Sequence, residues 1–190
     1  MDFLNLNNQK NLISNVILYP LKVNRDDRGI LVETLKNTWS DIFNENRPFT
    51  QNYYSITKSQ TARDEDKWHV HKFQEDRFIV ISGNLVVSMY DPRISSKTSG
   101  VLNLFKMGED NGDNGQYLLL IPKTILHGFV VVGKKDAILT NYPTRLYDPH
   151  DEGRVSHADA NVKFPDGSDF SWEKIIEQFR NSKKYKISNF

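Results

Sequence analysis

There is no cysteine among the 190 residues. That absence excludes a disulfide scaffold, a thiolate zinc site and a cysteine nucleophile, and it suits a reducing compartment. Long apolar runs are missing too. The first residues, MDFLNLNNQKNLISNV, contain no unbroken apolar core of signal-peptide length. No segment approaches the ~18 consecutive apolar residues of a membrane span. Charge of one sign is also lacking: the net charge is +1, so no global field recruits nucleic acid. The basic cluster Lys183, Lys184 and Lys186 reads as a solvated helix end. No internal repeat with a period of roughly 20 to 50 residues is visible. These absences predict a soluble cytoplasmic protein with no nucleic-acid or membrane partner. The length fits one domain over residues 1–190, able to bury roughly 70% of its unfolded surface without a metal or disulfide.

What is present is a succession of short β-rich runs. Strands are expected at 15–21, 28–35, 48–57, 117–122, 127–132 and 137–142. Residues 77–91, RFIVISGNLVVSMYD, read as two strands joined at Ser82-Gly83-Asn84, a turn that tolerates positive φ. The stretch 108–116, GEDNGDNGQ, reads as a loop. Helix is expected at 39–46 and at 170–185, where Trp172, Ile175, Ile176 and Phe179 share a face and Asp169 or Ser171 offers an N-cap. Many short strands with helices near the ends predict a mainly β sandwich or barrel.

The segment KWHVHKFQED, residues 67–76, contains the most pointed chemistry. In a strand, residues i and i+2 face the same side, so His69 and His71 project together while Trp68 and Val70 face away. His127, at the start of HGFVVV, can approach from a neighbouring strand, and Asp76 or Glu75 can add a carboxylate. Imidazoles so placed serve either a divalent metal or proton transfer near neutral pH. His150 and His157 sit in a polar stretch and read as surface residues.

The spacing His69-x-His71-x4-Asp76-x6-Gly83 resembles the first cupin motif, and GQYLLLIPKTILH, residues 115–127, resembles the second. A wider resemblance runs over about residues 20–165, to the dTDP-4-dehydrorhamnose 3,5-epimerase family of cupins. DDRGILVE at 26–33 is similar to its D-x-RG…E segment and FTQNYYSIT at 49–57 to its Q-x-N-x-S strand, with Tyr53 in place of Asn. MYDPRISSKTSG at 89–100, IPKTILHGF at 121–129 and LYDPHDEGR at 146–154 follow in the family's order.

The resemblance implies a cupin double-stranded β-helix, or jelly-roll barrel, with a C-terminal helical segment at 166–190. It implies an isomerase that epimerises a nucleotide-linked 4-keto-6-deoxy sugar by removing a proton next to the ketone. It implies no required cofactor and a homodimer that exchanges N-terminal strands, with residues 1–25 as the arm. The family's basic histidine falls on His69 and its second active-site histidine on His127. Residues that contact the nucleotide sugar fall on Arg28, Glu33, Gln51 and Asn141. The rest of the motif before the basic histidine is replaced by Asp66, Lys67 and Trp68, and Arg63 lies near enough to take its phosphate contact. The family's tyrosine acid falls on Asn141 with Tyr142 beside it, so Tyr142 can act if the strand bulges. Its lysine falls near Asp76, which opens another reading: His69, His71, Asp76 and His127 bind a divalent metal that replaces the lysine as a Lewis acid. A metal-dependent cupin enzyme of another class and a non-enzymatic nucleotide-sugar-binding module therefore stand beside the epimerase. The aromatic residues Phe49, Tyr53, Tyr54 and Trp68 read mainly as core or interface packing, with one or two available to stack on a base or sugar.

Overall fold

The computed structural model describes residues 2–187, with side chains described through Ser182. Twelve strands run in chain order: β1 Ile17–Pro20, β2 Val23–Asp26, β3 Gly29–Val32, β4 Tyr53–Thr57, β5 Lys67–His71, β6 Asp76–Ser82, β7 Asn84–Tyr90, β8 Leu102–Gly108, β9 Tyr117–Ile121, β10 Leu126–Val131, β11 Ala137–Asn141 and β12 Glu152–Ser156. Two helices follow, α1 His157–Ala160 and α2 Trp172–Ile187. The strands form two five-stranded antiparallel sheets, β1-β9-β6-β11-β4 and β12-β5-β10-β7-β8, with β2-β3 as a separate hairpin. This is the jelly-roll barrel that the sequence resemblance implies.

Alternation along the strands fills two layers at once. Leu85, Val87 and Met89 of β7 point between the sheets, where they meet Phe105, Met107, Leu119 and Val131. Val86 of the same strand points the other way, into a layer with Trp68, Val130, Trp172, Ile175 and Phe179. That layer is why α2 docks where it does. Its apolar face covers the outside of the β5-β10-β7 sheet, and each large side chain buried there contributes ~1.5–3 kcal/mol. The Ser171 hydroxyl accepts from the Lys174 N–H at 3.4 Å and caps the helix. Among the described residues no helix is long and apolar enough to cross a membrane. The side chains of Lys183, Lys184 and Lys186, and residues 188–190 of the expected C-terminal segment, lie outside the described residues.

The turn at Ser82-Gly83-Asn84 joins strands of different sheets, so it is a corner of the barrel and not a hairpin. Gly83 has φ 82, and a Cβ there would stand 2.7 Å from the Asp136 carbonyl oxygen. Only glycine fits this crossing.

Several expectations need correction. Residues 39–46 form turns, not a helix. The Ile42 carbonyl is taken by Arg77 of β6, whose guanidinium donates to the Ile42 oxygen and to the Arg47 and Pro48 oxygens just beyond the segment, at 3.0, 3.2 and 2.7 Å. The single strand expected at 28–35 is half of the β2–β3 hairpin. β8 and β12 were not anticipated: Asn103 and Lys106 interrupt the apolar pattern of one, and EGRVS of the other has a single β-branched residue. The expected loop at 108–116 contains 3-10 turns at Glu109–Gly115. The expected exchange arm, residues 1–25, is untested by one chain; within this chain, part of its length up to Pro20 lies against the barrel. Leu4 bonds through its backbone to Leu104 and Lys106, Ile13 and Val16 enter the core, and β1 pairs with β9.

Candidate active site

The β5–β10 pairing sets His127 directly opposite His69. Alternation along β5 turns His69 and His71 into the space between the sheets, and Trp68 and Val70 into the layer under α2. β6 brings Asp76 in from the opposite sheet. The His69 and His127 rings stack, with centroids 5.3 Å apart and planes at 11°, and His71 lies 4.6 Å from His69. All three imidazoles and Asp76 thus meet at one end of the barrel.

The hydrogen bonds give each group a different state. Gln74 donates one amide hydrogen to His71 Nε2 at 3.0 Å and the other to Asp76 Oδ1 at 2.9 Å. The Nε2 lone pair of His71 is therefore occupied, and its proton sits on Nδ1, 3.7 Å from Asp151. Asp151 itself accepts from the backbone N–H groups of Lys72, Phe73 and Gln74 and fixes the turn after β5. His127 Nδ1 donates to the Ile125 carbonyl at 3.0 Å, which leaves Nε2 facing Asp76 Oδ2 at 3.4 Å. Burial pushes the Asp76 carboxyl up, but His127, His71 and the Asn141 amide outweigh it and hold the group at about 2. Asp76 is an anion with fixed partners.

His69 differs from both neighbours. Its Nε2 has no hydrogen-bond partner among the described residues and lies 3.7 Å from Glu152 Oε1. Burial, with His127, His71 and Arg154 adding to it, pushes His69 down from 6.5 to about 3. It is a neutral imidazole with a free nitrogen, next to a carboxylate able to steady its charged form.

These residues border a cavity of about 400 Å³. His69, His127, Phe129 and Arg154 line it from one sheet, and Tyr53, Ser55, Asp76, Phe78 and Leu139 from the other, with Arg63 and Asp64 from the loop before β5. Arg154 is tied to Glu152 at 2.5 Å and to Asp64 at 3.4 Å. Asn141, fully buried, is anchored at every polar atom. Its oxygen accepts from the Arg77 N–H at 3.0 Å, and its amide donates to Asp76 and to the Tyr53 phenol oxygen, each at 2.8 Å.

Other expected site residues lie elsewhere. Tyr142 is a correction: it follows Asn141 by one residue and so points to the outer face, where its hydroxyl meets Thr34 at 2.8 Å and its ring packs with Phe49. The irregularity in β11 falls between Ile138 and Leu139 and does not reverse Tyr142. Arg28 sits on the β2–β3 hairpin, paired with Asp26 at 2.6 Å, beside exposed Ile30 and Leu31. Glu33 pairs with Lys36 at 2.5 Å, and Gln51 donates to the Arg145 carbonyl at 3.1 Å. None of these four lines the cavity of its own chain. Glu75 binds Arg47 at 2.7 Å instead of joining the histidines. Among the described residues, no three His, Asp or Glu side chains are grouped to hold a metal, consistent with the occupied lone pair of His71. His150 is exposed as expected, but His157 is not: its ring packs 5.2 Å from Trp68 and 4.9 Å from Phe170.

Sequence reasoning did not single out Gln74, Asp151, Glu152 or Arg154. Glu152 and Arg154 lie inside LYDPHDEGR, a segment quoted for its resemblance, so a signal for them existed. Tyr53 stands where the resemblance places an asparagine, and only the structure shows its phenol in the cavity.

The sequence model of the family described as dTDP-4-dehydrorhamnose 3,5-epimerase matches residues 10–184. A protein of Haloferax volcanii named "Probable low-salt glycan biosynthesis epimerase Agl13" is 39% identical over 140 residues, covering 73% of this chain and 83% of that one. The spore coat polysaccharide biosynthesis protein SpsL of Bacillus subtilis is 29% identical, covering 84% of this chain and 99% of its own. Among solved structures, a dTDP sugar isomerase from Desulfovibrio desulfuricans superposes with a TM-score of 0.71 at 25% identity, covering 85% of this chain and 92% of that one.

Proposed function

Because this chain belongs to the dTDP-4-dehydrorhamnose 3,5-epimerase family, we propose that it inverts a carbon next to the ketone of a nucleotide-linked 4-keto-6-deoxy sugar. It is a sugar-nucleotide epimerase, and the reaction follows from the acidity of a C–H bond beside a carbonyl. Removing that proton leaves an enolate. Its return to the other face inverts the carbon, and no redox step intervenes.

One observation above all supports this reading: a neutral histidine, His69, lines a polar cavity while its buried Nε2, without a hydrogen bond among the described residues, is turned toward the Glu152 carboxylate. His69 takes the proton, and Glu152 beside it steadies the imidazolium. A positioned base of this kind contributes about 10²–10⁴-fold. His127, its Nδ1–H held by the Ile125 carbonyl, can donate to the enolate oxygen only with a second proton on Nε2, a form that the facing Asp76 carboxylate stabilises. Arg63 and Arg154 at the rim suit a diphosphate, whose oxygens match the guanidinium fork.

The binding residues Arg28, Glu33 and Gln51 belong to the proposal in another way. Arg28 and Glu33 stand on and beside a hairpin that does not contribute to the cavity lining of its own chain, and Ile30 and Leu31, both exposed, follow Arg28. They can meet a sugar nucleotide in the cavity of a second copy. A homodimer, acting in the cytoplasm without a metal cofactor, completes the reading; the cysteine-free chain suits a reducing compartment.

The test is incubation of the purified protein with a dTDP-linked 4-keto-6-deoxyglucose, followed by NMR of the ring configuration. Inversion at C3 or C5 that survives EDTA is expected. Tight binding without inversion would make the protein a binding module, and activity lost with EDTA would return the metal reading.

A further inference from the structure

Inversion needs a proton donor on the face opposite the base, and Tyr142 cannot supply it because it points out of the barrel. Among the described residues one phenol lines the cavity. Tyr53 enters from β4, on the sheet opposite the one that holds His69. Resting on the epimerase reading, we propose that Tyr53 is the catalytic acid, delivering a proton to the face of the sugar remote from His69.

The hydrogen bonding at Tyr53 argues for a donor. The Asn141 amide nitrogen can only donate, and it does so to the phenol oxygen at 2.8 Å. The Tyr53 hydroxyl hydrogen is then left without an acceptor among the described residues, and it is available to a substrate. Asn141 cannot rotate away, because Arg77 and Asp76 hold its other polar atoms. When the proton leaves, the same amide stabilises the phenolate. Burial and the nearby Asp76 charge keep the phenol protonated before that moment.

The sequence supports the same exchange. The resemblance to the family puts a tyrosine at 141 and an asparagine at 53, whereas this chain has the reverse. The two positions are direct cross-strand partners in the β4–β11 ladder. Side chains of such a pair lie ~4.5–5.5 Å apart at Cβ, so exchanging them moves the phenol by about one strand spacing and keeps it on the same wall.

The chemistry balances. His69 takes the proton as the C–H bond breaks, and that electron pair forms the C=C bond of the enolate while the carbonyl pair moves to oxygen. The carbonyl then re-forms, and the C=C pair takes the Tyr53 O–H proton from the opposite face. The products are the inverted sugar, His69 imidazolium and Tyr53 phenolate, and one proton passing through solvent restores both residues.

The experiment compares the parent protein, Tyr53→Phe and Tyr142→Phe on a dTDP-linked 4-keto-6-deoxyglucose in deuterated water, following deuterium exchange and inversion separately. Tyr53→Phe removes one oxygen from a residue half open to the cavity. It is expected to slow inversion by about 10²-fold or more while exchange with retention, driven by His69, continues. Tyr142→Phe is expected to match the parent. Parental inversion in Tyr53→Phe overturns the assignment, and so does an equal loss of exchange and inversion, since that marks a general disturbance of the site. A parent that neither exchanges nor inverts sinks the epimerase reading itself.

Discussion

At the scale of the residue, one imidazole is distinguished from two others by its neighbours. His71 has its lone pair occupied by Gln74, and His127 has Nδ1 fixed by a carbonyl, but His69 keeps a free nitrogen. Its burial has a consequence for stability. The folded protein holds His69 at about 3, whereas the unfolded chain titrates near 6.5, so between those values the unfolded state binds more protons. Stability is therefore full above pH ~6.5 and declines as the pH falls toward 3. Melting temperatures measured through that window are expected to fall less steeply in His69→Asn. A residual slope persists because burial pushes His71 down too. An identical slope in parent and variant would contradict the buried neutral state.

At the scale of the element, the strands that position the site were the most legible part of the sequence. KWHVH declared itself by alternation, and HGFVVV and AILTNY by runs of β-branched residues. What alternation could not show was which strands become neighbours, and so which side chains share a wall. The Tyr53–Asn141 contact depends on β4 pairing with β11, and Glu152 reaches His69 only because β12, too polar to read as a strand, pairs with β5. In the segment 39–46 the Ile42 carbonyl bonds to a residue far along the chain and not to a helical N–H. Arg77 is fully buried, and burial pushes its guanidinium down to about 10, while it binds carbonyls of Ile42, Arg47, Pro48, Tyr142 and Pro143. Arg77→Met is expected to destabilise the fold by ~3 kcal/mol, because several buried acceptors lose their donor at once. Denaturant titration and limited proteolysis at 39–48 measure this. A loss below ~1 kcal/mol would show those carbonyls to be satisfied by water instead.

At the scale of the whole molecule, the cavity lies between the two sheets, with His69 on one wall and Tyr53 on the other, and the proposal seats the sugar between them. The hairpin that carries Arg28 lies outside this arrangement within one chain, which makes the proposed dimer testable by complementation. Arg28→Ala and His69→Asn subunits, each weak alone, are expected on mixing to recover about a quarter of parental activity, since half the dimers would then hold one complete site. No recovery would mean that Arg28 serves its own chain or none. The most direct test of the account is solvent exchange into the bound ketosugar. In deuterated water the parent protein should place deuterium next to the ketone, and His69→Asn should lower that rate by about 10²-fold or more while still binding dTDP. Exchange that continues at the parental rate without His69 would contradict the account.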